Sequence, residues 1–408
     1  MVADRYLFVT YCDRLHREKE NPVSSSTSLT NPPAAEGIAA VSPSAPKTGQ
    51  SVCEAEAKGR FIPLDAYRGL IMILLVSDGF GFSQLPNRGI YHFIANQFEH
   101  RPWGGAVFYD LIMPAFLFMV GVAMPFALAR RTALGGGRRP ATRHVVIRCL
   151  RLMLISQIVV SIGEKRAHLE VHNVLMVVAI TYFTCYFLMR LGWWKQAAVA
   201  ATLLAAHSAI YLLFPGQGGA FAQVTSAGAR LDRALLLDGL NYPWPCVTLN
   251  LVCEIPSVLF GVWAGNLLRS GKPRSEQLKT LAMGMVAAFA AGLILSPVVP
   301  INKWLWTASY TLYCTGWVIL GLLAFILLAE YAGIRRSLFP LVVVGMNSLF
   351  IYCLGEILEG WINQSLNIFT GGYHVLGIFG PVAQSCSVLL IIWLLAWWMY
   401  QRGIFVKV

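Results

Sequence analysis

The stretch from Glu99 to Phe126 combines residue types that can support acid–base chemistry at a membrane surface. It begins with His100, a residue type that serves as an acid or a base in many enzymes, and becomes almost wholly apolar while keeping Asp110 and Pro114. A charged aspartate inside a membrane helix costs about 3 kcal/mol, so a functional or paired role is the default. A proline there frees the Asp110 carbonyl from its helix hydrogen bond. The pattern predicts an acid at a bend beside a base, with an ordinary proline kink as the alternative.

Other polar residues lie within or at the ends of apolar runs, and each has a structural alternative. Asp78 follows the first run and is a second candidate for catalysis. A single histidine at such a boundary more often has a structural role than a functional one. Convergence of several groups from different runs favours a shared site. The candidate binding residues are Asp65, Arg68, Trp103, Glu254, Asn302, Lys303 and Asn347.

Asp65 and Arg68 are three residues apart, so they share one face of a helix and can pair with each other. Asp65 also suits the positive end of the helix dipole. Ligand binding is an equally good explanation, and both interpretations remain open. Gly69 would allow a neighbouring helix or a cofactor to approach closely.

The composition excludes most soluble classes of protein. Of 408 residues, 56% are hydrophobic and only 13% are charged, whereas soluble domains are about 25% charged. The formal charge of +12 does not indicate nucleic-acid binding, because the basic residues lie between apolar runs, as in membrane proteins. The nine cysteines show no metal-ligand or disulfide spacing, and no Walker-type phosphate loop is present. We therefore expect no metal.

The apolar runs of about 20 residues are each long enough to cross a hydrocarbon layer of about 30 Å. We predict an all-α polytopic membrane protein with about ten transmembrane helices. Residues 1–58 are polar and rich in serine and proline, and we expect a disordered cytoplasmic tail there, followed by one transmembrane domain over residues 59–408. The predicted spans cover residues 62–82, 105–129, 145–162, 172–190, 196–214, 248–268, 278–299, 304–330, 339–358 and 376–400.

Alternate connections between these runs are basic, as around Arg130, Arg269 and Arg335. If they face the cytoplasm, both termini are cytoplasmic as well. Asn347 alone is then expected near the middle of the membrane. The polar residues expected at the opposite, outer layer are Asp78, His100, Asp110, Glu254, Asn302 and Lys303.

Five motifs occur in a specific order along the chain. They are Leu64-Asp-Ala-Tyr-Arg-Gly69, Glu99-His-Arg-Pro-Trp-Gly104, Asp110-Leu-Ile-Met-Pro114, Pro300-Ile-Asn-Lys-Trp-Leu-Trp-Thr307 and Gly345-Met-Asn-Ser348. Together they resemble the bacterial relatives of heparan-alpha-glucosaminide N-acetyltransferase, within the wider group of transmembrane acyltransferases. The resemblance extends from about Arg60 to the C-terminus.

The resemblance implies a multi-pass enzyme, with the bacterial cytoplasmic membrane as its expected location. Such an enzyme moves an acetyl group from cytoplasmic acetyl-coenzyme A to an amino sugar or glycan on the opposite side. The active-site histidine of the family falls on His100. A functional asparagine of the family lies where this chain has Ser77, Asp78 and Gly79, so its role is assigned to Asp78.

On this basis His100 is expected to act as a base or as a transient acetyl acceptor. Asp78 or Asp110 would orient it, and Asn302, Lys303 or the Trp103 indole would stabilise the developing oxyanion. The expected partners are acetyl-coenzyme A, the acceptor and the lipid bilayer, but no nucleic acid. A homodimer is left open.

The main alternative is a multi-span transporter of a small polar or sugar-like solute. That class predicts polar residues near mid-membrane and paired broken helices, whereas the ionisable residues here lie toward the outer ends of the runs. A non-enzymatic scaffold ranks last, because it leaves the acids without a purpose.

Overall fold

The computed structural model describes residues 61–133, 138–167, 173–235 and 247–406. Over these ranges the chain forms α-helices joined by short 3-10 segments and loops, without strands. The predicted tail at residues 1–58 lies outside them. The α-helices are α1 (Ile62–Val76), α2 (Gly89–Phe98), α3 (Ile112–Ala133), α4 (Arg138–Gly163), α5 (Val174–Leu188), α6 (Trp193–Leu213), α7 (Ala227–Ala234), α8 (Val247–Leu268), α9 (Arg274–Leu295), α10 (Ala308–Glu330), α11 (Phe339–Met346), α12 (Ser348–Thr370) and α13 (Gly380–Gln401).

Most of these helices are long and apolar enough to cross a membrane. Within the described ranges, 7 segments meet that test, and up to 9 do so if each of two bent helix pairs is one span. The apolar helix α5 is shorter, at 15 residues. The prediction of an all-α polytopic membrane protein is therefore confirmed. Helix α2 lies where no helix was predicted, between the first two spans.

The two bends occur where the backbone leaves helical geometry. After α1, Asp78, Gly79 and Gly81 adopt φ values of 43°, 68° and 67°, and the axis turns by 49°. Between α11 and α12 the axis turns by 81°, at Asn347, whose φ is −118°. Asp78 therefore lies at the very end of α1, on the chain's path toward α2.

Glycines bring two helix pairs into direct backbone contact. A Cβ atom on Gly69 of α1 would lie 1.8 Å from the Leu341 carbonyl oxygen of α11. A Cβ atom on Gly121 of α3 would lie 2.0 Å from the Val258 carbonyl oxygen of α8. Only a hydrogen atom fits at such positions, as in many membrane helix pairs. These contacts fix α3, which follows Asp110, against α8.

Pro114 does not produce the predicted bend within a helix. Asp110 belongs to a 3-10 turn, Phe108–Leu111, and α3 begins only at Ile112. Pro114 therefore lies in the first turn of α3, where backbone N–H groups have no acceptor within the helix, so a proline there costs no helix hydrogen bond. The predicted availability of the Asp110 carbonyl is confirmed, because this oxygen accepts a hydrogen bond from the Tyr310 hydroxyl at 2.6 Å.

Candidate functional site

His100 and Asp110 form the centre of the candidate site. The His100 Nδ1 atom lies 2.7 Å from Asp110 Oδ1. The Asp110 side chain is 1% exposed, whereas that of His100 is 39% exposed. The other carboxylate oxygen, Oδ2, accepts the Val107 backbone N–H at 3.0 Å. The 3-10 turn thus holds the acid in one orientation, with the histidine between it and solvent.

This geometry determines which nitrogen of His100 is available for chemistry. Asp110 is an acceptor when ionised, so Nδ1 carries the proton and donates it to Oδ1. Nε2 then keeps its lone pair. The imidazole ring also contacts two aromatic rings, with 5.0 Å between its centroid and that of Tyr109 and 6.1 Å to that of Trp304. The base is therefore oriented on three sides.

Lys303 completes a three-residue cluster. Its Nζ atom lies 3.2 Å from Asp110 Oδ1, and 2.8 Å and 3.0 Å from His100 Nδ1 and Nε2. Burial lowers the pKa of Lys303, and the negative charge of Asp110 opposes that shift. One ammonium group thus contacts both the acid and the base.

The loop that carries Lys303 is held by the residues around it. The Asn302 side-chain oxygen accepts the Leu305 N–H at 3.1 Å, and the Asn302 N–H donates to the Thr307 hydroxyl at 3.2 Å. Thr307 also accepts the Tyr310 N–H and so caps α10. Asn302 is 1% exposed. Its side-chain oxygen shapes the loop, and its role toward a ligand stays a prediction.

Two contacts join this loop to the segment that contains His100. The Gly105 N–H donates to the Ile301 carbonyl at 2.7 Å, and the Trp304 indole donates to the Arg101 carbonyl at 2.8 Å. His100 and Lys303 are 203 residues apart in the chain. Their distance in space is therefore set by these two hydrogen bonds.

The predicted use of the Trp103 indole as an oxyanion donor is not what the structure shows. Its N–H donates instead to the Phe221 carbonyl at 3.2 Å, and its ring packs against an apolar cluster that includes Leu305 and Tyr211. Trp103 thereby joins the His100 segment to the loop before α7. Its role in substrate binding stays a prediction.

Asp78 and Asp110 were alternative partners for His100, and the hydrogen bond goes to Asp110. Asp78 is exposed at the end of α1. Its charge lies near Tyr109 and near Glu356 and Glu359 of α12. Asp78 therefore contributes to an acidic surface beside the cluster, and its assignment to the family's asparagine role stays a prediction.

Glu254 is fully buried in α8 and lies near Tyr310. Because Tyr310 donates to the Asp110 carbonyl, Glu254 lies behind the cluster. Asn250, one turn earlier on α8, donates to the Trp304 carbonyl at 3.1 Å. Sequence reasoning did not select Asn250 or Tyr310. The signal for Asn250 was its spacing of four residues from Glu254, which places both on one helix face.

The remaining candidates lie at the opposite end of α1. Arg68 donates to Asp65 Oδ1 at 3.0 Å and, through Nε, to the Gly345 carbonyl at 2.8 Å. The expected pairing of Asp65 and Arg68 is thus present. Asp65 and Asp78 are 13 residues apart, which is about 20 Å along a helix. The candidates therefore form two groups at opposite ends of α1, which we name the outer and the inner group after the sides predicted for them.

Asn347 belongs to the same group as Arg68, because it lies two residues after Gly345, whose carbonyl oxygen Arg68 contacts. Its side-chain nitrogen donates to the Ile404 carbonyl at 3.0 Å, and its side-chain oxygen accepts the Val406 N–H at 3.0 Å. It therefore fixes the segment after α13 to the bend between α11 and α12. Its expected position near the middle of the membrane stays a prediction.

Among the described residues, no group of three or more histidine, cysteine, aspartate or glutamate side chains is arranged to hold a metal ion. The six cysteines in those ranges are free thiols. The site is thus built from an imidazole, a carboxylate and an ammonium group, with tyrosine and tryptophan around them.

Comparison with known proteins identifies two relatives. Heparan-alpha-glucosaminide N-acetyltransferase of Mus musculus is 23% identical, over 85% of this chain and 60% of the mouse protein. The Homo sapiens protein of the same name is 21% identical, over 86% of this chain and 60% of its own length. The chain thus spans 60% of the curated relatives it matches. No protein-family model matches it.

Proposed function

We propose that this chain, a relative of heparan-alpha-glucosaminide N-acetyltransferase, is a membrane acetyltransferase. It takes an acetyl group from acetyl-coenzyme A on the cytoplasmic side and delivers it to an amino sugar or glycan on the extracytoplasmic side. The observation that carries the proposal is the cluster of His100, Asp110 and Lys303. An oriented imidazole with an open nitrogen beside a cationic donor is what acyl transfer to an amine requires.

His100 acts as the general base. Its Nε2 lone pair removes a proton from the acceptor nitrogen as that nitrogen attacks the thioester carbonyl. The new C–N bond forms, the C–S bond breaks, and the thiolate of coenzyme A takes the proton back from the imidazolium. Asp110 stabilises the imidazolium through the 2.7 Å contact to Nδ1. A variant of this route first forms acetyl-His100 at Nε2.

Lys303 stabilises the negative charge that develops on the thioester oxygen. A partly buried cation at such a position favours the transition state over the neutral ground state, because the negative charge exists only in the transition state. With the Trp103 indole bound to Phe221, Lys303 is the donor closest to the base.

The inner group of Asp65, Arg68 and Asn347 lies where coenzyme A would enter. Arg68 is part-exposed and places a cation at the inner end of α1. The basic connections around Arg269 and Arg335 lie at the same predicted side. Positively charged residues along this entry path would attract the phosphates of coenzyme A. The acetyl group would then travel along α1 toward His100.

One observation favours the alternative of a solute transporter. The structure contains two bent helix pairs, with bends of 49° and 81°, and broken helices are typical of transporters. The outer position of the ionisable cluster argues against a midplane substrate site.

The test is an assay of purified protein with acetyl-coenzyme A and glucosamine. We expect His100→Ala to lower turnover by about a hundredfold or more, since general bases contribute that much. His92→Ala, an exposed histidine on α2, is the matched control and should retain activity. Turnover equal to wild type in His100→Ala contradicts the proposal. Uptake of labelled solute by vesicles without release of free coenzyme A supports the transporter.

A further inference from the structure

We infer that α4 and α5 together bind the phosphate headgroup of an anionic phospholipid, at the predicted inner side of the membrane. The lipid site is defined by Arg148 and Arg151 of α4 and by Arg190, which follows α5. It is independent of the proposed acetyl transfer, because none of these arginines belongs to the outer or the inner group of candidate residues.

Arg148 and Arg151 lie inside an apolar helix and not in the connection before it. The candidate span on α4 begins at Thr142, so the two arginines lie about 9 Å and about 14 Å along the helix from that point. The basic residues that set membrane orientation lie in the connections between spans. A guanidinium within a span is costly and needs an anionic partner.

No such partner lies in the part of the chain that the structure describes. Neither Arg148 nor Arg151 forms an ion pair with a carboxylate there. Arg151 is exposed, and Arg148 is half-buried. The buried Nε atom of Arg148 has no hydrogen-bond partner among the described residues, and an unmade hydrogen bond of this kind costs free energy. The anion must therefore come from elsewhere.

The Arg148 guanidinium is oriented in a way that suits a phosphate. It stacks over the Tyr182 ring of α5, with 4.6 Å between its Cζ atom and the ring centroid. Stacking leaves the N–H groups at the edge of the guanidinium, where two of them can donate to one phosphate. Arg190 stacks over Tyr186, one turn further along α5, at 4.8 Å, and donates to the Thr142 hydroxyl at 2.9 Å. Arg190 therefore adds a cation at the start of the same span.

The surface beside these cations is apolar and open. Leu154 and Ile158 follow Arg151 by three and seven residues, so they lie on the same face of α4, and both are exposed. Phe183, next to Tyr182 on α5, is exposed as well. Long arginine side chains extend toward the headgroup layer, so a phosphate bound there leaves this apolar surface to acyl chains.

This combination of charge and apolar surface identifies the occupant as a lipid. Basic pockets between membrane helices on the cytoplasmic side suit anionic headgroups. A free phosphate or a nucleotide would use the arginines but leave Leu154, Ile158 and Phe183 uncovered. A zwitterionic lipid would cover those residues, but its own cation would oppose the three arginines.

The test measures lipid binding by the purified full-length protein in detergent. Native mass spectrometry follows the titration with phosphatidylglycerol, which is anionic, and with phosphatidylcholine of the same chain length, which is zwitterionic. We expect the wild type to bind phosphatidylglycerol about tenfold or more tightly than phosphatidylcholine, since each cation near the headgroup adds to the attraction.

We expect Arg151→Met to weaken phosphatidylglycerol binding about tenfold, the effect of losing one charged hydrogen-bonding group, and to leave phosphatidylcholine binding unchanged. Arg148→Met should act in the same way. Because Arg151 is exposed, its variant decides the test if Arg148→Met does not fold. Arg151→Lys keeps the charge but not the paired donors, so its loss should be smaller.

Lys279→Met is the matched control, because Lys279 is an exposed cation five residues into α9, and it should bind phosphatidylglycerol as the wild type does. Equal affinity of the wild type for the two lipids overturns the inference. So does unchanged phosphatidylglycerol binding in Arg151→Met, or an equal loss in Lys279→Met. Glycerol 3-phosphate carries the same phosphate without acyl chains. If it binds as tightly as phosphatidylglycerol, the site belongs to a free phosphate and not to a lipid.

Discussion

The contact between His100 and Asp110 gives the two carboxylates near the site different expected roles. Asp110 is buried and hydrogen-bonded to the imidazole, whereas Asp78 is exposed at the end of α1. An oriented carboxylate keeps the histidine in the correct tautomer and stabilises its protonated form. A nearby carboxylate without that contact acts on the imidazole only through a weaker electrostatic interaction, which the solvent screens.

We therefore expect Asp110→Asn to lower kcat by about a hundredfold or more, and Asp78→Asn by less than about tenfold. Loss of the Asp110 charge leaves the imidazolium without its stabilising partner. The measurement is the rate of acetyl transfer by both variants. A larger loss in Asp78→Asn would assign the orienting role to Asp78.

The sequence identified these residues but not their pairing. His100 and Asp110 were recognisable because a base and an acid adjoin an apolar run. Whether His100 would contact Asp78 or Asp110 depends on a 3-10 turn at Phe108–Leu111. A local turn of this kind leaves no periodic hydrophobic signal. The occupied N–H of Trp103 likewise depends on a loop that is 118 residues away.

At the level of helices, the glycine contacts largely determine which helices pack closely together and at which residues. Gly69 and Gly345 on α1 and α11 leave no room for a side chain, nor do Gly121 and Gly261 on α3 and α8. Close backbone approach increases van der Waals contact where lipid offers no hydrophobic driving force. The positions of α1 and α3 thus follow from small residues as much as from large ones.

We expect Gly69→Ala to destabilise the protein by about 1–3 kcal/mol, because its methyl group overlaps the Leu341 carbonyl and separates α1 from α11. Gly284→Ala on α9 is the matched control, since a Cβ there meets no atom within 4 Å. It should be neutral or slightly stabilising, as alanine is the better helix former. Thermal unfolding in detergent measures both. Equal unfolding temperatures for the two variants would contradict the packing argument.

The helices themselves were largely predictable, because a membrane span needs a long apolar run whatever its neighbours are. The ends of the helices were not. The first predicted span divides at Asp78, and the ninth divides at Asn347. The break at Asn347 depends on tertiary hydrogen bonds to the residues after α13, which no local pattern encodes.

For the whole molecule, the proposed reaction requires that the two groups of polar residues face opposite compartments. The basic connections predict that the inner group faces the cytoplasm. We therefore expect Glu99→Cys to react with a membrane-impermeant maleimide in intact cells, and Lys272→Cys to react only after permeabilisation. Peptide mass spectrometry identifies the labelled cysteine and separates it from the native thiols. Labelling in the reverse pattern would place His100 in the cytoplasm.

Helix α1 has 15 residues, and this length has a meaning beyond packing. From Arg68 to its end at Val76 the helix rises about 12 Å, which fixes the distance between that cation and the turn that follows α1. Under the proposed function, a donor bound at one end must reach the other with its acyl group. The length of the helix then selects donors by their own length. An activated acetate without a long flexible arm could bind near Arg68, but its acyl group would not reach His100.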